Sequence, residues 1–172
     1  MDVLEAIRKR HSVRTYKSKP IPKKTMKKLL EAARIAPSAS NIQPWHFIIV
    51  TDREKRIRLT RGGRYAKPVA KAPTVIVGCG DKEASPKWYK VDVTIALEHI
   101  ALAATNEGLG TCWIGSFTET QVREMLKIPD NFAVVALLTV GYPREKPDIE
   151  TRVLRAKRER KSLNEIVSYE EF

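Results

Sequence analysis

The chain predicts a single globular domain that mixes helices with buried strands. Three observations carry this. The chain has 172 residues and an ordinary apolar fraction of 42%, enough for one domain with its own core and too apolar for a disordered state. Apolar residues recur at helical spacing in several stretches. Two continuous apolar runs, PTVIVGCG (73–80) and FAVVALLTVGY (132–142), read as strands, the first in the interior of a sheet.

Asp2 caps a first helix that runs to about Arg10, with Glu5 in the capping-box position and Val3, Leu4 and Ile7 as its buried stripe. A cationic stretch follows, RKRHSVRTY (8–16). If it is extended, Arg10, Ser12 and Arg14 point to one side, because strand side chains alternate. Two guanidinium forks and a hydroxyl on one side suit an anion with several acceptor oxygens, such as a phosphate. The alternative is a solvated basic helix end that complements the macrodipole.

Pro20 and Pro22 set an extended entry, and Pro22 suits the first position of a second helix. Met26, Leu29, Leu30 and Ala33 form its apolar face, and Pro37 stops it near Ala36. The polar loop PSASNIQPW (37–45) leads into the strand HFIIV. The loop is either a connection or a reader of a planar heterocycle, for which Asn41 and Gln43 carry donors and acceptors. Asp52 to Leu59 forms a short helix that Gly62 and Gly63 break.

Pro86 opens a long helix to about Asn106, apolar around much of its circumference, with His99 as a satisfied core histidine. Gly108 ends it, and GLGTCWIGSF (108–117) gives a short strand in which Gly115 allows close backbone approach to a ligand. A GxGxxG fingerprint is absent, because Trp113 and Glu83 occupy the third-glycine places. Thr118 caps a helix through Leu126, with Gln121 completing a capping box. From Pro143 to Lys161 the chain is charged and proline-broken, an arm leaving the core. Arg158, Arg160 and Lys161 make a second cationic cluster, and Ile166, Val167 and Tyr169 beyond it are apolar enough to dock somewhere.

The net charge of +12 suits nucleic acid, an acidic membrane surface or an anionic cofactor. No helix-turn-helix, zinc-finger or RNA-binding signature accompanies it. No apolar run approaches the roughly 18 residues that cross a bilayer, and the N-terminus is an amphipathic helix unlike a signal peptide, so a cytoplasmic protein is expected. Cys79 and Cys112 lack metal-ligand or CxxC spacing and read as reduced, buried thiols. No Ser-His-Asp or paired-carboxylate constellation is visible, so side-chain nucleophilic or acid–base catalysis is not expected.

Five motifs in order, RHSVR, PSASNIQPWHF, GLGTCWIG, VALLTVGYP and RERKSLNEIVSYE, resemble the FMN-dependent nitroreductase family in its short form, over essentially the whole chain. The resemblance implies an α+β fold over residues 1–172, with a central mixed, mostly antiparallel sheet flanked by helices. It implies a homodimer with two interfacial FMN sites, each arm (about 144–172) exchanged with the partner. Carried over by residue, Arg10, His11, Ser12 and Arg14 match the motif that binds FMN phosphate, ribityl and pyrimidine edge. Arg158 and Arg160 match the basic pair that completes the phosphate site. Pro37, Ser38, Ser40 and Asn41, with Gln43 beside them, match the loop on the isoalloxazine, contributed in part by the other subunit. Trp113, Ile114, Gly115 and Ser116 match the segment whose backbone amides face flavin N5 and O4. Gly115 stands where some members carry Glu, and the mid-chain helical insertion of larger members is missing. The activity implied is ping-pong transfer from NADH or NADPH through FMN to a nitroaromatic, quinone or similar small-molecule acceptor, with no nucleic-acid or membrane partner. Two alternatives stay open: a basic nucleic-acid-binding protein, and a flavin-destroying or dehalogenating relative within the fold.

Overall fold

The computed structural model describes residues 1–61, 63, 65–145 and 160–172. The two apolar runs become the middle of one sheet, where both faces are covered. β2 (Thr74–Asp81) and β4 (Phe132–Gly141) are central, β1 (Trp45–Val50) and β3 (Gly110–Ile114) flank them, and the order is β1-β2-β4-β3 with every pairing antiparallel. Trp45 faces Gly80, and Ile114 faces Leu137. The register shifts between Gly78 and Cys79, where Val135 of β4 is an extra residue with no partner on β2.

One face of the sheet carries α5 (Tyr89–Asn106), with α2 (Lys23–Arg34) packed on it in turn. Side chains on β2 would hold α5 away. A Cβ on Gly78 would lie 2.7 Å from Leu97 Cδ1, and one on Gly80 would lie 2.7 Å from Tyr89 Cδ2. The other face is closed by Leu59 of α3 (Arg53–Leu59), Val69 of α4 (Lys67–Lys71) and Val122 of α6 (Glu119–Leu126).

The cationic stretch is extended and joins the sheet edge. Ser12 pairs with Thr111 in parallel, the Val13 amide donates to the Thr111 carbonyl at 2.8 Å, and Tyr16 pairs with Pro143. This isolated parallel bridge lies outside the four strands, whose sheet is antiparallel throughout. The buried Tyr16 hydroxyl donates to the Val13 carbonyl and lies 2.6 Å from Thr139 Oγ1, and burial pushes the phenol up.

Several expectations are corrected. In α1 (Val3–Lys9) the Asp2 carboxylate accepts from the Glu5 amide at 2.8 Å, but Glu5 pairs with Lys9 at 2.6 Å, so only half the capping box forms. Its stripe is not buried: Val3, Leu4 and Ile7 are 71%, 62% and 49% exposed, and Ala6 alone faces the core. The apolar face of α1 is therefore left uncovered among the described residues. Pro22 stands at the N-cap of α2, one place before the expected position. α5 starts at Tyr89 because Ser85–Trp88 close turns first, the Trp88 and Tyr89 amides both donating to Ser85. Thr118 is the N-cap of α6 without a side-chain bond, and Glu119 instead accepts from the Val134 amide at 3.0 Å. The five-residue α4 was not expected from the sequence. Residues 146–159 of the arm, Arg158 among them, lie outside the described residues. The tail from Arg160 is exposed, with a 3₁₀ turn at Leu163–Glu165 capped reciprocally by Ser162 and Glu165. No helix among the described residues is long and apolar enough to cross a membrane.

Gly110 fixes how closely the cationic stretch approaches β3. A Cβ there would lie 2.5 Å from Val13 Cγ2 and 2.7 Å from Val13 Cβ, and a β-branched side chain at that depth has few rotamers to retreat into. Gly110→Ala should cost about 1–3 kcal/mol, read as a lower urea midpoint at unchanged slope. A variant as stable as the parent would show that the stretch rides loosely on β3.

Candidate functional site

The stretch after α1 alternates as a strand does. Val13 and Thr15 are buried, while Arg10, Ser12 and Arg14 stay partly open on the other side. The buried Cys112 thiol of β3 lies behind this stretch. Burial pushes this thiol up, while the Arg14 charge, a hydrogen bond with Ser12 and the Arg10 charge pull it down. The Ser12–Thr111 bridge and the Arg10–Glu98–Trp113 contacts set the predicted cluster along the outer edge of β3. His11 turns its Nδ1 to the Lys9 carbonyl at 2.9 Å. Arg14 also reaches the Ser12 carbonyl at 3.4 Å.

The polar loop forms a self-bonded knot ahead of β1. Ser38 Oγ accepts from the Gln43 amide at 2.9 Å, and the Gln43 side-chain amide donates to Asn41 Oδ1 at 3.1 Å. Gln43 thus braces the loop with the group expected to read a ligand. Ser40, Asn41 and Gln43 have φ of 48°, 56° and 54°, a region non-glycine residues occupy only when surroundings over-determine them. One restraint comes from α5: the buried Asp92 accepts from the Ala39 amide at 3.2 Å, and its other oxygen has no partner among the described residues. Pro37, Ser40, Asn41 and Gln43 are exposed and Ser38 is half-buried.

The end of β3 presents the third predicted group. Ile114 is buried, Trp113 and Ser116 are half-buried, and Gly115 is exposed. A Cβ on Gly115 would meet nothing within 4 Å, so a planar ligand can lie against the main chain there. Behind it the chain is tight: a Cβ on Gly63 would lie 2.0 Å from the Ser116 carbonyl oxygen. The Trp113 indole N–H donates to Glu98 of α5 at 3.1 Å, and the other Glu98 oxygen stands 3.6 Å from Arg10 Nε. Sequence reasoning missed Glu98, Asp92 and Gly63. The first two are polar positions on a helix read as apolar, and Gly63 reads as a helix breaker.

The fold does not gather every predicted residue. In the sheet, the loop before β1 and the end of β3 belong to opposite edges, three strand spacings or about 14 Å apart. Arg160 is exposed, and no hydrogen bond or ion pair joins it to Arg10–Arg14 among the described residues. His99 is half-buried with Nδ1 3.2 Å from the Ala32 carbonyl, a histidine with a packing partner. No metal-binding group of His, Cys, Asp or Glu occurs among the described residues.

The fold is α+β, with a basic stretch along one strand edge that ends in open main chain. The nitroreductase family model matches residues 7–78 and 62–142. A nitroreductase family protein of Clostridium difficile 630, seen in its crystal structure, is 32% identical with a TM-score of 0.85 and full coverage of both chains. An FMN-dependent nitroreductase of Clostridium difficile R20291 is 30% identical, covering 98% of this chain and 99% of its own, with a TM-score of 0.80. A Vibrio harveyi NADPH-flavin oxidoreductase is 28% identical over 168 residues, 88% of this chain and 70% of the relative. The chain belongs to the nitroreductase family, and it is an oxidoreductase of that family.

Both thiols are buried and free. Burial pushes Cys79 up to about 12, with Glu119 adding to the rise. An unfolded thiol ionises near 9, so between those values the unfolded chain sheds a proton that the folded chain keeps. Stability is then lost as pH rises from about 9 to about 12. Urea midpoints should fall with pH in this window, and the fall should be shallower in Cys79→Ala. Identical pH slopes for parent and variant would contradict the assignment.

Proposed function

We propose that this chain is an FMN-dependent NAD(P)H oxidoreductase that acts on nitroaromatic, quinone or similar acceptors. The carrying observation is the placement of the Arg10–Arg14 stretch along β3, with Ser12 bridged to Thr111 and Arg10 beside the Glu98 that holds Trp113, next to a strand end whose Gly115 main chain is open. The donor set fits this cofactor. Two guanidinium groups and a hydroxyl suit a phosphate and a pyrimidine edge. The Thr111 hydroxyl beside Ser12 is buried without a partner among the described residues, and open main chain at Gly115 suits a flat ring. Bound there, FMN supplies the hydride chemistry, taking reducing equivalents from NADH or NADPH and passing them to the acceptor in a ping-pong cycle.

The chain's own residues bind and bias. Arg10, with Arg158 and Arg160 from the arm, neutralises the phosphate, while Ser12 and His11 face the ribityl chain. Arg14 lies along the pyrimidine edge, where its charge favours the reduced, more anionic ring. Trp113, Ile114, Gly115 and Ser116 offer main-chain contacts to the ring edge. Pro37, Ser38, Ser40, Asn41 and Gln43 come from the second subunit of a homodimer. Three features support that dimer. Val3, Leu4 and Ile7 present an exposed apolar face. A hollow of about 260 Å³ beside it is lined by Ile35, His99 and Leu102. The sheet order also holds the loop away from the β3 end within one chain. The arm, from about residue 144, crosses to the partner, which gives exposed Leu163, Ile166, Val167, Tyr169 and Phe172 a surface to cover. A cytoplasmic setting, with NADH or NADPH at hand, completes the reading.

The protein should purify yellow and release FMN on heating. Arg10→Ala should weaken FMN by roughly ten- to a hundredfold, the size of a charge-assisted contact. Arg14→Ala should instead lower the flavin potential and slow reduction by NAD(P)H, with a smaller loss of affinity. A colourless protein that FMN cannot reconstitute would sink the reading.

Truncation after Lys161 should give unstable or aggregated protein, since the apolar tail then leaves its dock empty. A well-folded monomer of the full chain at micromolar concentration, by light scattering, would refute the dimer.

A further inference from the structure

Glu98 is one carboxylate with two separate duties. Its Oε2 accepts from the Trp113 indole at 3.1 Å, and its Oε1 stands 3.6 Å from Arg10 Nε. The three residues sit on different elements: Glu98 on α5, Trp113 on β3, and Arg10 at the C-terminal cap of α1. Trp113 lies on the α5 side of the sheet, packed against the cluster of α5 and α2, while its neighbours Cys112 and Ile114 pack into the opposite cluster. The indole has one donor and no acceptor, so a fixed Trp113 gives Glu98 one fixed direction.

The pair with Arg10 adds little to folding stability. The Arg10 and Glu98 side chains are 22% and 40% exposed, and partly exposed ion pairs contribute little net. It does set orientation. Contact through Nε leaves the two terminal nitrogens of the guanidinium, the fork that meets phosphate oxygens in pairs. An Arg side chain without such a tether samples many rotamers, and that freedom is lost on binding.

We infer that Glu98, itself anchored by the Trp113 indole, is a positioning residue that presents the Arg10 fork to the cofactor phosphate. This rests on the flavin reading above and deepens it. The strand end that lies under the ring and the cation that holds the phosphate are thereby linked through one side chain of α5. An amide at this position has one acceptor oxygen and can serve the indole or the guanidinium, not both. Glu98→Gln should therefore fall between the parent and Glu98→Ala.

The test is titration of apoprotein with FMN and with riboflavin, which lacks the phosphate. Parent, Glu98→Gln, Glu98→Ala, Arg10→Ala and the Glu98→Gln/Arg10→Ala double variant are compared. Glu98→Ala should weaken FMN by about five- to tenfold and leave riboflavin within about twofold, and in the Arg10→Ala background the Glu98→Gln change should no longer alter FMN affinity, as a coupled pair requires. A merely structural role would weaken both ligands alike and give additive effects in the cycle. Either result overturns the inference while the flavin reading stands. If Glu98→Ala does not fold, Glu98→Gln and the double variant carry the same comparison. A parent that binds neither ligand overturns the flavin reading itself, and this inference with it.

Discussion

The rest of the site depends on how closely α5 lies on β2. Gly78 and Gly80 leave the strand without side chains where Leu97 and Tyr89 descend, and Ala96, Ala101 and Ala104 keep the helix slim among its buried residues. Close packing of this kind has little tolerance for one added methylene. Because α5 touches all four strands, its axial and rotational setting fixes polar groups at both edges of the sheet. Asp92 and Glu98 are six residues apart, about 9 Å along the axis. One holds the loop before β1 and the other meets the end of β3 and the cap of α1. α5 thus works as a ruler between the two predicted halves of the site.

A helix that packs this tightly has no cheap place for a carboxyl group. Asp92 is 2% exposed with one oxygen unpartnered among the described residues, and a buried polar atom without a bond costs about 1–3 kcal/mol. What is held in exchange is the loop, where three non-glycine residues sit at positive φ. Each such residue costs on the order of 1 kcal/mol or more. The internal bonds of Ser38, Asn41 and Gln43, together with Asp92, offset that strain. The arrangement weakens the fold locally and leaves the loop in one conformation, with Pro37, Ser40 and Asn41 turned to solvent.

Much of this was legible in the sequence, for identifiable reasons. Both central strands followed from continuous apolar runs, and α2 from its 3.6-residue spacing. The alternation of Arg10, Ser12 and Arg14 against Val13 and Thr15 came from the two-residue period of extended chain. The misread stripe of α1 has a physical cause: Val3, Leu4 and Ile7 carry the pattern of burial, but nothing among the described residues covers them. Periodicity reports that a face wants a partner and not which molecule supplies it. α4 is too short for its pattern to register. Glu98 and Asp92 were invisible because their partners lie 15 and 53 positions away. The local bond of Gln43, whose side-chain amide closes on Asn41 two residues back, was also not legible, because side-chain bonds within a loop leave no periodic pattern.

Two glycines beside Ser116 show packing and chemistry setting different limits on one segment. Gly63 is confined, because any side chain would enter the Ser116 carbonyl at 2.0 Å, a contact with rigid main chain. Gly115 has no such constraint: it is exposed, its φ is not left-handed, and its Cβ direction is open. Packing therefore dictates Gly63 and is indifferent to Gly115. A side chain at position 115 would project into the open space against the strand end and change what can approach it, at no cost to the core. Position 115 can thus vary without disturbing the strand, whereas the closed side behind Ser116 keeps the main-chain groups in place.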